Sequence, residues 1–264
     1  MKINNTSMTK LIIISCFILL FPFIAKSQKS SIMDEKYSFD NFIGITSGVG
    51  LVSYTGSFLL FSGEVDCNPY NFKTNNKLQT NFLFGLKAEL KISKHFDIFA
   101  SLLYEDRSAK FDILDCPLYV YVSEERPFEL ANFKQDLNAK INVFSISPML
   151  KYRPFDCDVG ILVGPSFAFM ISDKLDSKEW ITQPTELVYK ESAKKERTIY
   201  SGNIEPKNSL FIDLKFGLSY GFMLTKQIKL SPEIFYVLPL TKVSSEDDWK
   251  ISSIQFLVSC SYGF

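Results

Sequence analysis

The stretch that decides the fold is the last one, Ile251-Ser252-Ser253-Ile254-Gln255-Phe256-Leu257-Val258-Ser259-Cys260-Ser261-Tyr262-Gly263-Phe264. One alternate set reads Ile254, Phe256, Val258, Cys260, Tyr262, Phe264; the other reads Ser253, Gln255, Leu257, Ser259, Ser261, Gly263. Successive side chains of a strand point to opposite faces, so a period of two over this length predicts a strand with one apolar face and one small, polar face.

The same alternation recurs upstream. Across 211–222, Ile212, Leu214, Phe216, Leu218, Tyr220 and Phe222 oppose Asp213, Lys215, Gly217, Ser219 and Gly221. Across 81–91, Phe82, Phe84, Leu86, Ala88 and Leu90 oppose Lys87, Glu89 and Lys91; across 96–105, Phe96, Ile98, Ala100, Leu102 and Tyr104 oppose Asp97, Ser101 and Glu105. Residues 42–54, 142–152, 159–171 and 228–238 behave alike. About eight strands result, each near the ~9–11 residues that a tilted transmembrane strand needs. Composition agrees: 15% of the 264 residues are aromatic, with 25 Phe and 12 Tyr, and such residues suit a pleated surface.

Alternation alone does not say which face is inside, because a soluble lipocalin-type barrel has the same period. The polar face here is small: Gly160, Gly164, Ser166 and Ala168 on one strand, Gly217, Ser219 and Gly221 on another. Small side chains suit a narrow lumen, and the bulky aromatic face suits lipid. The connections are alternately long and short: 55–80, 106–139, 172–209 and 239–250 against 92–95, 153–158 and 223–227. Long extracellular loops and short periplasmic turns make that pattern in an outer-membrane barrel, and an even strand count puts both termini on the periplasmic side. The expected architecture is a single closed antiparallel up-and-down transmembrane β-barrel, all-β, spanning 42–264.

At the other end, Lys2 and Lys10 precede an apolar run over 11–25, and Ala25-Lys26-Ser27 offers a small-x-small site. Residues 1–27 read as a signal peptide cut after Ser27, leaving 28–41 as a periplasmic segment. A membrane anchor would need a run of ~20 residues, and Pro22 interrupts this one. Too few apolar residues precede Cys16 for a lipoprotein box. With 29 basic and 29 acidic residues, no global field draws the chain to nucleic acid or to anionic lipid.

Ten charged residues fall on the small-residue face: Lys87, Glu89, Lys91, Asp97, Glu105, Lys151, Asp213, Lys215, Lys229 and Glu233. Both signs in a narrow lumen are expected to pair and plug it, since an unpaired buried charge is costly. The rival is a pore lining, for which a ring of one sign would be expected. Four cysteines follow the signal: Cys67, Cys116, Cys157 and Cys260. A disulfide between Cys67 and Cys116, pinning the first two long loops, and four unpaired thiols are both open readings.

The hairpin Gly85-Leu86-Lys87-Ala88-Glu89-Leu90 … Phe96-Asp97-Ile98-Phe99-Ala100-Ser101-Leu102-Leu103-Tyr104 resembles strands two and three of the PorT-type outer-membrane β-barrel family. Ile146-Ser147-Pro148-Met149-Leu150-Lys151-Tyr152, followed by Gly160-Ile161-Leu162-Val163-Gly164-Pro165, is similar to the family's "Pro, apolar pair, Lys-Tyr" and "Gly-Pro" strands. The terminal Tyr262-Gly263-Phe264, with Phe256 ahead of it, looks like the barrel-closing strand whose last aromatic the barrel-insertion machinery reads. The resemblance covers 42–264 and fails to match the long loops. It implies the barrel and an outer-membrane location; members with assigned roles include a component associated with protein secretion.

No catalytic constellation stands out. His95, the single histidine, falls in a short turn beside Lys94, far from the outer rim where a barrel enzyme would use it. The carboxylates of the long loops (Asp66, Asp106, Asp112, Asp115, Glu124, Glu125, Asp247, Asp248) show no pairing by spacing and read as solvated charge. Gly44, Gly48 and Gly50 lie on a strand and relieve crowding rather than cradle phosphate. No cofactor or metal is expected. Lys194-Lys195-Glu196-Arg197 is offset by Glu186, Glu191 and Glu205, and Trp180 lies in the same connection. Trp249 is expected as an interfacial anchor, and residues 118–122 as an apolar patch offering a strand edge to a partner.

The expectation is a non-enzymatic outer-membrane barrel with a structural or interaction role at the cell surface, or an accessory of an envelope or secretion assembly. Its partners would be outer-membrane lipid, the insertion machinery and an envelope protein. A narrow porin-like channel, a soluble lipocalin-like periplasmic binder and a hydrolase using loop carboxylates are the alternatives.

Overall fold

A computed structural model of the chain describes residues 41–58, 70–71, 78–122, 128–154, 158–190, 192–245 and 248–264. The expected signal peptide, Cys67, Cys157 and the Cys116 side chain lie outside the described residues, so the disulfide reading does too.

Ten strands carry the fold: β1 Asn41–Thr55, β2 Gln79–Lys91, β3 Phe96–Asp106, β4 Ala109–Val120, β5 Glu129–Tyr152, β6 Val159–Gln183, β7 Glu196–Asn203, β8 Leu210–Tyr220, β9 Ile228–Pro239 and β10 Lys250–Gly263. Eight of them form a ring in the order β1, β2, β3, β5, β6, β8, β9, β10, each antiparallel to its neighbours in the ring. β10 closes it on β1, in register from Phe42 opposite Gly263 to Thr55 opposite Lys250. Closure leaves the barrel wall without an unpaired edge. Residues 57–58 and 70–71 make a small separate ribbon.

The alternation falls as expected. Ile254, Val258 and Tyr262 are exposed on the outside of β10, while Ser253, Gln255, Ser259 and Ser261 are buried inside. Phe82, Phe84 and Leu86 on β2 and Phe216 and Leu218 on β8 are likewise exposed, whereas Lys87, Glu89, Asp213 and Lys215 are buried. The closing seam is tight. A Cβ on Gly44 or Gly48 would run into the backbone of β10 around Cys260 and Phe256, so these glycines relieve crowding.

Two of the four long connections are not loops. β4, β5, β6 and β7 stand side by side beyond the barrel rim and extend the wall on one side. β5 runs 24 residues and β6 runs 25. The 13 residues of β5 beyond the β3 pairing add about 43 Å of strand. Their outward face turns from apolar to charged past Phe144 and Ile171, with Lys140, Lys174, Lys134 and Lys178 exposed. That change of outer face is why the sequence reads as loop there, although the inward period-two row of Leu137, Ala139 and Ile141 continues unbroken. Register shifts at Asn142/Val143 and Asn132/Phe133 mark bulges in the β5–β6 ladder.

Two further expectations are corrected. Trp249 is fully buried, in a cluster with Tyr54, Phe111 and Ile251 that roofs the lumen, rather than standing at an interface. Lys91 has inward parity but is exposed, because β2 ends there, past the last lumen layer.

Candidate functional site

The lumen is filled in layers, and their order is the same along each strand from the short-turn end. First comes a charged layer. Glu89 accepts from Lys151 Nζ at 2.8 Å on one oxygen and from Lys229 Nζ at 2.8 Å on the other. Lys87 donates to Glu233, which also accepts from Ser259 Oγ at 3.3 Å. Lys229 lies 3.9 Å from the Phe42 ring centroid and Lys87 5.4 Å from that of Phe99, so the rings shield the ammonium groups. Asp97, at the rim, pairs with Arg153 at 2.8 Å. Above these stands an apolar layer of Leu83, Phe99, Leu103, Met149, Leu162, Phe235 and Leu257.

The second charged layer centres on Glu105. Its Oε2 accepts from Arg107 Nε at 3.0 Å and Nη2 at 2.9 Å and from Gln255 Nε2 at 3.2 Å. Its Oε1 accepts from Ser145 Oγ at 2.5 Å and Lys215 Nζ at 3.3 Å. Arg107 also donates to Asp213 at 2.9 Å, bridging both carboxylates, and its guanidinium stacks over Phe211. Tyr54 roofs the layer and donates its hydroxyl to the Arg107 carbonyl at 2.6 Å.

Nine of the ten charged residues expected in the lumen (Lys87, Glu89, Asp97, Glu105, Lys151, Asp213, Lys215, Lys229, Glu233) are therefore brought together, in two groups rather than one. Glu105 and Lys215 are each about 1% exposed, so a water-sized sphere does not reach them. Every one of these charged side chains is paired with an opposite charge, and most are buried. Arg107, Arg153, Ser145 and Gln255 escape a sequence reading that ends β3 at 105 and ranks only charges. Extending the odd-numbered inward row of β3 by one step would have found Arg107.

The projecting sheet has its own interior. The roof cluster continues into it through Leu137, Leu175 and Ile204, and a distal cluster packs Ala131, Phe133 and Ile181 against Val120, Leu187 and Tyr189. Between them Glu179 is buried and accepts from Gln135 Nε2 at 2.6 Å, Tyr189 Oη at 2.7 Å and Arg197 Nε at 2.9 Å. Arg197 lies 4.8 Å from the Tyr189 ring centroid. Burial, and then the hydrogen bond to the Glu179 carboxylate, push the Tyr189 hydroxyl well above the usual tyrosine range. A shallow cleft of about 350 Å³ is lined by Tyr189, Ser192, Lys194, Glu196, Arg197 and Thr198. The basic run over 194–197 is thus largely committed, Arg197 to Glu179 and Glu196 to Lys178 at 2.6 Å. Trp180 donates to Glu196 at 3.2 Å.

The other candidates stay apart. His95 sits in the turn between β2 and β3, its Nδ1 3.0 Å from the Arg153 carbonyl. Asp106 accepts from the Ser108 amide, and Asp248 pairs with Lys242 on the surface. The side chains of Asp66, Asp112, Asp115, Glu124, Glu125 and Asp247 lie outside the described residues. Among the described residues no group of His, Cys, Asp and Glu is placed to hold a metal. The sequence patch at 118–122 begins inside β4, which ends at Val120; Tyr119 within the strand and Tyr121 and Phe128 beyond it are exposed. Phe256, Tyr262 and Phe264 lie on the outside of the closing strand, where the Phe264 amide donates to the Asn41 carbonyl at 3.0 Å.

Neither a protein-family model nor a curated protein matches the sequence. Among solved structures the chain is similar to Ail, the attachment invasion locus protein of Yersinia pestis, at 11% identity over 85% of this chain and 99% of that one, with a TM-score of 0.36. It is similar to Neisserial surface protein A at 11% identity over 84% and 97%, TM-score 0.34. It is also similar to the outer membrane protein OprG from Pseudomonas aeruginosa at 10% identity over 86% and 96%, TM-score 0.31. The fold assignment rests on the strand pairing itself rather than on these likenesses.

Proposed function

We propose that this chain is a non-enzymatic outer-membrane barrel that holds a rigid sheet above the cell surface for contact with another envelope or extracellular protein. The observation that carries the reading is the combination of an apolar exposed wall with a lumen of buried, mutually paired charged side chains. In a soluble barrel the exposed row Ile43, Ile45, Phe82, Phe84, Leu86, Phe216, Leu218 would face water, and a contiguous patch of that size is a liability. In a bilayer it is the surface that lipid requires. Charged side chains that pair with one another across the lumen argue against a porin-like channel, and they suit an apolar ligand poorly. The resemblance to the PorT-type family makes a secretion or envelope assembly the partner class, with the exposed aromatic tip of the β4–β5 hairpin as the place of contact.

Heat-modifiability tests the location. The protein folded in detergent should migrate as a compact band that shifts only on boiling; a soluble periplasmic product without a shift would overturn the reading. Planar-bilayer recording tests the paired lumen: steps above leak from the wild-type protein would restore the channel. Neither arm depends on knowing the partner.

A further inference from the structure

An electrostatic conflict stands on the outer wall. Lys140 on β5 and Lys174 on β6 are direct cross-strand partners, and both are exposed on the outward face. Directly opposed residues have Cβ atoms roughly 4.5–5.5 Å apart, a spacing at which like charges destabilise a sheet. Neither lysine has an ion-pair partner among the described residues. Three carboxylates among the described residues lie on the same face, none within 4 Å of either ammonium: Asp106, opposite Asn142, accepts from the Ser108 amide at 2.9 Å, Asp136 pairs with Lys110 at 3.7 Å, and Asp176 accepts from Ser201 at 2.6 Å. Beneath the pair stand the neutral hydrogen-bonding side chains of Asn142 and Ser172, also register partners. Beneath those the wall turns apolar, at Phe144, Phe169 and Ile171.

The height of the pair supplies the missing counter-ion. Lys140 lies two outward positions beyond Phe144, about 13 Å along the strand, which for a strand tilted by ~40° is about 10 Å along the barrel axis. The headgroup layer of a leaflet is about 5–8 Å deep. A lysine stem extends several ångströms and can turn back along apolar surface to place its ammonium in that layer. Two ammonium groups with no ion pair among the described residues, over a neutral polar pair, suit one lipid phosphate.

We infer that Lys140 and Lys174, with Asn142 and Ser172 beneath them, form a binding site for an anionic lipid phosphate of the surrounding leaflet. The inference rests on the membrane reading above. The bound phosphate relieves the repulsion between the strands at the bulge where β5 and β6 leave the barrel, so the lipid also steadies the base of the projecting sheet.

The test uses the full chain folded in dodecyl-maltoside micelles and titrated separately with phosphatidic acid, phosphatidylcholine and inorganic phosphate, with retention read by native mass spectrometry. A basic residue near an anionic surface is worth about fivefold in affinity, so K140Q/K174Q should weaken phosphatidic acid binding by about 25-fold. K140R/K174R should keep it, and the zwitterionic phosphatidylcholine should bind weakly to both. Equal phosphatidic acid affinity in the wild type and K140Q/K174Q would overturn the site. Inorganic phosphate binding as tightly as phosphatidic acid would overturn the lipid as its ligand. The boiling shift, run on the same samples, separates the two readings. A wild-type protein without a shift fails the membrane reading and this one with it, whereas a retained shift with unchanged affinity fails this one alone.

Discussion

Replacing Arg107 with methionine should be among the most damaging single changes in the lumen. Arg107 is held by three hydrogen bonds to two carboxylates, Glu105 and Asp213, each about 1% exposed. Methionine keeps the packing against Phe211 but removes the charge. Glu105 retains Lys215, whereas Asp213 loses the only ion pair it makes among the described residues. Stranding one partner of a buried pair costs about 3–5 kcal/mol. Urea unfolding in micelles, followed by the fluorescence of buried Trp249, should show it. With a denaturant slope of about 3 kcal/mol per molar, the midpoint should fall by about 1–1.7 M. Adding D213N should recover part of the loss, since the stranded carboxylate is then neutral. K110M is the control: its pair with Asp136 spans 3.7 Å with the lysine side chain 63% exposed, and should be worth under about 0.5 kcal/mol. If R107M shifts the midpoint no more than K110M, the buried network does not hold the barrel together.

Three other outcomes are expected. G48V should block closure of β10 on β1, because a side chain there meets the backbone of Phe256; the compact unboiled band should vanish, and a normal band shift would refute the crowding argument. Cys260, exposed on the outside of β10, should react in vesicles of a C67S/C116S/C157S variant with a membrane-soluble maleimide and not with a charged, impermeant one; fast labelling by the charged reagent would place that face in water. Tyr189 has its hydroxyl pushed up by burial and by Glu179, so the fold favours the neutral form; this stability is present below the ordinary tyrosine value near 10 and is lost as pH rises beyond it. The wild-type minus Y189F difference in tyrosinate absorbance should therefore develop well above pH 10, and development near 10 would show the hydroxyl to be free of Glu179.

The barrel is legible in the sequence because every wall strand has to satisfy two solvents at once. Ile254, Val258 and Tyr262 against Ser253, Ser259 and Ser261 state both faces in fourteen residues. The lumen charges were legible for the same reason: Lys87, Glu89, Asp213 and Lys215 interrupt rows that are otherwise small. The projecting sheet was not, because past Phe144 and Ile171 the outer face carries Lys and Asp, and the eye loses the contrast although Leu137, Ala139 and Ile141 keep the period. Nor was the division into two charged layers, which depends on the stagger between strands and not on any one strand. Trp249 was misjudged because an aromatic at a strand mouth suits an interface and a roof equally, and only the neighbouring Tyr54 and Phe111 decide between them.

The strands that reach the tip are the same strands that build the wall. β5 and β6 pair with each other from Tyr152 opposite Ile161 at the turn end to Asn132 opposite Gln183, with a break at 147–149 and register shifts at Asn142/Val143 and Asn132/Phe133. A load applied at the tip along these strands is therefore met as shear across many backbone hydrogen bonds sharing it in parallel, rather than as peeling one bond at a time. A partner that pulls on the sheet pulls on the whole barrel, and through it on the membrane.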